Sequence, residues 1–234
     1  MEAIETFEQD GYKAELFQDY DPQSPAEWDT LGTLVTLTSL SRSYSFGNRE
    51  SDGAEDDAVE RGGFALLARY LRMTERGGAE IVPLRFEDYG SSGTRLRVTG
   101  EDDGRVNAFL YVDGEDIAKE FDGDRDKARA CLEAEAEAWN QYVEGDIYGY
   151  NVTRPDGSDA PDGGLWGLYG FDYAVEEAKT ALADAIVYDK TEAGKREHLE
   201  RVNRRLGLAQ REVDRIAVEY RAALFAIEGS KGGV

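Results

Sequence analysis

Between Leu199 and Ile227 apolar side chains recur at alternating steps of three and four: Leu199, Val202, Leu206, Ala209, Val213, Ile216, Tyr220, Ala223 and Ile227. A strand repeats every two residues, so this run is compatible only with a helix, and the pattern persists over four heptads. The seam formed by Leu199, Val202, Leu206, Val213, Ile216, Tyr220 and Ile227 is the candidate interface. Leu208, Val218, Leu224 and Phe225 lie off it and widen the apolar surface. Upstream, Phe171, Val175, Ala178, Leu182 and Ala185 keep the same rhythm, and Asp189 to Glu192 reads as a fresh N-cap. Two arrangements follow from one seam: a helical hairpin packed within the chain, or a coiled-coil extension that meets a second copy or another protein.

Ahead of these helices the period changes to two. Tyr12, Ala14 and Leu16 alternate with Lys13 and Glu15, as expected of an edge or meander strand. Ser24-Pro25-Ala26-Glu27 has the form of a capped helix start that Gly32 would stop, and the β-branched run Thr33 to Leu40 predicts a strand. Asp57 and Glu60 predict the capped start of a helix with Phe64, Leu67, Ala68 and Leu71 on one stripe. Three further strands are centred on Val82 to Phe86, Thr94 to Val98 and Val106 to Val112. Helices are expected over Gly114–Phe121 and Asp124–Val143. Asp146–Thr153 and Leu165–Gly170 are expected to pair as a hairpin. Strands and helices mix without a βαβ rhythm, so the expected class is α+β, a mainly antiparallel sheet with flanking helices, plus the C-terminal helical hairpin or coiled-coil extension.

Charge divides the chain at the same place. Residues 1–186 carry 41 acids against 17 bases, net −24, whereas 187–234 carry 8 acids against 10 bases, net +2. The expected organisation is an acidic α+β body over 1–186 and a helical extension over 187–234. With 41% hydrophobic and 11% aromatic residues the chain can bury a core, so the acidity belongs to its surface. Such a surface opposes direct contact with nucleic acid backbones. Two physical readings compete: a hydrated carboxylate shell adapted to high salt, or a surface shaped to resemble a polyanion. No apolar run approaches the roughly 20 residues of a membrane span, and the first ten residues are acidic, unlike a secretory leader, so a cytoplasmic setting is expected. A single cysteine, Cys131, precludes an internal disulfide.

Candidate chemistry is sparse. Asp122, Asp124, Asp126 and Glu133 fit positions of a calcium loop, but Lys127 stands where that loop needs glycine, and an acidic helix start accounts for them. His198 sits beside a heptad position, away from any ligand set. Gly90 to Thr94 lacks the lysine of a phosphate cradle and reads as a turn. Glu135 lies on the wheel between Ala128, Cys131, Trp139 and Tyr142, where burial would suit a general acid, though no partner is visible. Tyr148-Gly149-Tyr150 and Trp166-Gly167-Leu168-Tyr169-Gly170 alternate aromatics with glycines. They could stack bases, or simply pack aromatic against glycine across a hairpin.

Trp28 to Val35, Arg42 to Asn48, Pro83 to Gly90, Ala108 to Val112, Gly145 to Tyr150 and Leu165 to Gly170 occur in an order that resembles a family of uncharacterised proteins encoded by bacteriophages and other mobile elements. The resemblance covers about residues 9 to 186 and leaves out the helical extension. It implies a viral or mobile-element setting and brings no cofactor, metal or catalytic residue. The expected function is a non-enzymatic acidic interaction protein of a virus or mobile element. Its body would engage a host protein with a basic surface, in the sharpest form by mimicking DNA toward a nucleic-acid-binding defence protein. Its C-terminal helix would pack, dock or form a homo-oligomer. An assembly protein with a salt-adapted surface is the alternative, and a carboxylate- or metal-dependent enzyme the third.

Overall fold

The computed structural model describes residues 1–38 and 46–231; for Ser92, Asp162, Gly194, Glu197, His198, Arg201, Val202 and 208–231 it describes the backbone alone. In chain order the strands are β1 (Glu5–Gln9), β2 (Tyr12–Gln18), β3 (Thr33–Thr36), β4 (Arg49–Glu50), β5 (Ala79–Asp88), β6 (Thr94–Val98), β7 (Ala108–Asp113), β8 (Ile147–Thr153) and β9 (Asp159–Tyr169). The helices are α1 (Gly53–Thr74), α2 (Gly114–Phe121), α3 (Arg125–Glu144) and α4 (Phe171–Lys231). The fold is α+β, with two sheets ordered β1-β2-β8-β9 and β4-β3-β7-β5-β6. All pairings are antiparallel except the short parallel contact of β3 with β4.

The second sheet is covered on both faces, as its strand alternation requires. Leu34, Val82, Leu84, Leu110 and Val112 face α2 and α3, where they meet Ile117, Ala128, Leu132 and Trp139. Val35, Ile81 and Phe109 face α1 and meet Phe64, Leu67, Ala68 and Leu71. Leu110, Leu132 and Trp139 are fully buried, and each such side chain contributes roughly 2–3 kcal/mol relative to exposure. The first sheet has one covered face: Ala14, Leu16, Tyr150, Val152 and Leu168 pack on Ala174, Ala178, Leu182, Ala185 and Ile186 of α4. Three of those five helix residues are alanine, which lets the helix lie close to the sheet.

Several local readings change. α3 starts where expected, with Asp124 as its N-cap, but α1 begins earlier than expected, because Asp52 rather than Asp57 caps it. The side chain of Asp52 accepts from Ala54 and Glu55 N–H groups, both at 2.9 Å, and Glu55 reaches back to the Asp52 N–H at 2.8 Å. Gly62 and Gly63 leave helical geometry, Gly63 at φ 69°, so α1 bends before its buried half. Ser24 does cap a turn, but Pro25–Glu27 is a single 3₁₀ turn. Gly32 is a point of close approach, since a Cβ there would lie 2.5 Å from Leu132 and 2.6 Å from Glu135. β2 is an interior strand, flanked by the unforeseen β1 and by β8. The expected strand Thr33 to Leu40 ends at Thr36, and its last two positions lie outside the described residues.

Glu55 shows why the early start of α1 matters. It is 2% exposed, caps the helix, and receives two hydrogen bonds of 2.7 Å from the Arg49 guanidinium of β4. Those bonds hold the Arg49 pKa above its ordinary value. Glu55 is buried but Arg49 is partly exposed, so water can take over part of the lost pairing, and Glu55→Ala should destabilise the protein by about 1–2 kcal/mol in urea unfolding through the lost cap and hydrogen bonds, whereas the joint apolar replacement Arg49→Met with Glu55→Leu should cost less.

Candidate interaction surface

The C-terminal seam was expected either to fold back or to project, and α4 carries its residues as one uninterrupted helix of 61 residues. Phe171–Ala185 and the seam residues belong to this one helix. Asp189 does not cap a new helix. Its carboxylate accepts from Arg154 at 2.6 and 3.0 Å and from the Tyr12 hydroxyl at 2.9 Å, and these bonds hold its pKa below the usual carboxylate range. Position 187 is instead where burial stops: Ile186 is 3% exposed, Val187 62%. At 1.5 Å per residue the stretch beyond Ile186 is about 70 Å long. Leu199 and Leu206 of the seam are exposed, at 60% and 62%. The side chains of Val202, Val213, Ile216, Tyr220 and Ile227 lie outside the described residues, as does that of His198.

The residues weighed for chemistry are engaged in structural roles. Asp124 accepts from the Lys127 N–H at 3.2 Å and pairs with its ammonium at 3.0 Å, Glu133 pairs with Arg129, and Asp122 ends α2 in the left-handed conformation. Among the described residues no group of three or more His, Cys, Asp and Glu is placed to hold a metal ion. Glu135 accepts the Leu31 and Gly32 N–H groups at 2.7 and 2.8 Å, tying the chain before β3 to α3. Burial and the neighbouring Glu135 carboxylate push the Cys131 thiol up, which disfavours the thiolate. Gly90–Ser92 forms the turn between β5 and β6, closed by the Tyr89 N–H on the Gly93 carbonyl at 2.9 Å. Among the described residues no helix is long and apolar enough to cross a membrane.

The aromatic-glycine strands do pair, as β8 with β9. Trp166 lies across Gly149, where a Cβ would approach its ring to 2.3 Å, and stacks on Phe17 with centroids 6.1 Å apart. The indole therefore occupies the space that a side chain at 149 would need. Gly149→Ala should cost about 2 kcal/mol of stability through overpacking, and most of that loss should disappear when it is combined with Trp166→Ala, as measured in a double-mutant cycle.

Where the two sheets meet lies an open cleft of about 1070 Å³. It is lined by the C-terminal end of α3, the end of β2, the start of β8 and residues of β5 and β6. Phe46 and Phe86, with centroids 4.6 Å apart, line it together with Tyr142 and Tyr148. Asp19, Glu144 and Asp146 supply carboxylates. Gln18 braces the joint by donating to the carbonyls of Gly145 and Ile147, and Thr94 donates to that of Val143. Glu144 pairs with Arg95 at 3.0 Å. Asp146 receives the Tyr148 hydroxyl, and burial together with that bond pushes Tyr148 up to about 12. Asp19 accepts backbone N–H groups of Gly167 and Asp21, both at 3.1 Å. Among the described residues neither Asp19 nor Asp146 has a cationic partner. The sequence reading missed this place. Its one sequence signal is the pair Glu144 and Asp146 at the negative end of α3, whose last turn contains no basic residue.

Comparison of the chain with protein-family models, with curated proteins and with solved structures finds no match in any of the three.

Proposed function

We propose that this chain is a non-enzymatic interaction protein that presents a carboxylate surface to a basic partner and associates through its projecting helix. One observation carries the reading. Among the described bases of residues 1–186, all except Arg69 and Lys179 are ion-paired with acids of the same molecule. Lys179 rests on the Phe7 ring. The cations are thereby locally neutralised, and the surplus of 41 acids over 17 bases leaves carboxylates to dominate the outer field. Exposed pairs of this kind contribute little stability, so they act mainly by masking positive charge.

The resemblance to proteins of bacteriophages and mobile elements makes a host protein the natural partner, and an antagonist that mimics DNA toward a nucleic-acid-binding defence protein is the sharpest form. On that form, immobilised protein retains basic host proteins at low ionic strength, releases them as salt rises, and loses them to excess duplex DNA. Retention that duplex DNA does not reduce would remove the mimicry and leave simple charge pairing. No retention at all would remove the reading. Unfolding in dilute buffer with recovery in molar salt would instead assign the acidity to salt adaptation.

The helix makes a separate expectation. Leu199 and Leu206 are exposed on the helix, which favours association over internal packing. Light scattering should give a mass above that of one chain, and Leu199→Ser with Leu206→Ser should return it to one chain without lowering the unfolding midpoint of the body.

A further inference from the structure

We infer that the cleft between the two sheets seats the guanidinium of an arginine presented by the basic partner. This deepens the reading above and rests on it: the broad acidic surface would attract the partner, and the cleft would fix its position. The argument begins with α3. The C-terminal end of a helix carries partial negative charge, and natural helices place Lys or Arg there. The last turn of α3 instead contains no base, ends on Glu144, and is followed after Gly145 by Asp146. Arg95 answers Glu144 at 3.0 Å, whereas among the described residues no base answers Asp146 or the nearby Asp19, and a cation from outside would.

The cleft's walls specify what kind of cation. Tyr142 and Tyr148 line the cleft together with Phe46 and Phe86, and rings attract a cation while excluding water around it. A lysine ammonium holds its water tightly. A guanidinium is planar and weakly hydrated, stacks on rings, and offers a fork of donors that fits a carboxylate, so arginine matches rings and acids together. Asp146 is held beside Tyr148, and Asp19 is oriented by two backbone N–H groups; both carboxylates are placed without a cation of their own among the described residues. Arg95 already serves Glu144 at 3.0 Å. The volume, about 1070 Å³, exceeds one side chain and leaves room for the flanking backbone of a peptide.

The test titrates the full-length protein with a blocked tetra-arginine peptide, its tetra-lysine counterpart and its uncharged citrulline counterpart at low ionic strength. Calorimetry reads affinity, and backbone amide shifts read location. The arginine peptide should bind more tightly than the lysine peptide, citrulline should not bind, and the shifts should centre on Gly145, Asp146 and Tyr148. Asp19→Asn with Asp146→Asn should weaken arginine binding by about tenfold, whereas the distant exposed pair Glu60→Gln with Asp102→Asn, equal in charge change, should weaken it by less than about twofold. Equal weakening by both pairs, or shifts spread over the whole surface, would overturn the cleft and leave the acidic-surface reading intact. Absence of binding by any basic peptide would overturn both. Should the cleft variant fail to fold, the shift map of the unmodified protein decides alone.

Discussion

The pairing of β2 with β8 is the contact on which the arrangement rests. It joins residues 130 to 140 positions apart, from Gln18 with Tyr148 to Lys13 with Thr153, and so builds the first sheet from both ends of the body. Closing so long a loop is entropically costly, and the return comes from what the pairing assembles. Ala14 and Leu16 meet Tyr150 and Val152 on the face that α4 covers. At the other end of the same strands, Gln18 reaches the carbonyls of Gly145 and Ile147. The cleft is a consequence: it lies where β2 stops and β8 starts, against the end of the helix that delivers the chain to β8.

Charge and core are separated with few exceptions. Thr36 and Glu55 are the buried polar side chains among the described residues, and both are satisfied: Thr36 donates to the Phe46 carbonyl, and Glu55 is held by Arg49. No buried side-chain nitrogen or oxygen among them lacks a partner. A body of net −24 can then remain folded because its repulsion acts through water, where ions screen it within about 10 Å, while the apolar layers hold from within. Short-range pairs such as Arg129 with Glu80 and Arg72 with Glu101 further reduce local repulsion around the second sheet.

Much of the fold was legible because hydrophobic period is a direct image of burial. The strands at Val82, Thr94 and Ala108, the helix over Asp124–Val143 and the β8–β9 hairpin all announce themselves by which residues are apolar. β1 did not, since its Glu5–Gln9 run is an edge with almost no buried side chain. The α1 boundary was misplaced because Asp52 and Asp57 offer equally good capping chemistry, and only the long-range partner Arg49 distinguishes them. Glu135 illustrates the same limit for function. Its place among apolar neighbours was visible, but the two N–H groups it accepts come from Leu31 and Gly32, about a hundred residues earlier. The cleft was illegible for the same reason, since its acids come from two distant segments.

The continuous α4 divides a single helix between two physical regimes. Up to Ile186 it is held by the sheet and needs no intrinsic stability, because its small apolar face is buried on Leu16, Tyr150 and Val152. The clamp of Asp189 on Arg154 and Tyr12, with Lys190 on Asp10, ties the helix to the body just past Ile186. In water tertiary packing is what normally sustains helices of natural sequence. The three-four rhythm of Phe171 to Ala185 is absorbed by the sheet, whereas the seam from Leu199 onward lies past the residues that the sheet buries. The near-neutral charge of 187–234 works in the same direction, because a second helix can approach it without the repulsion that the body imposes.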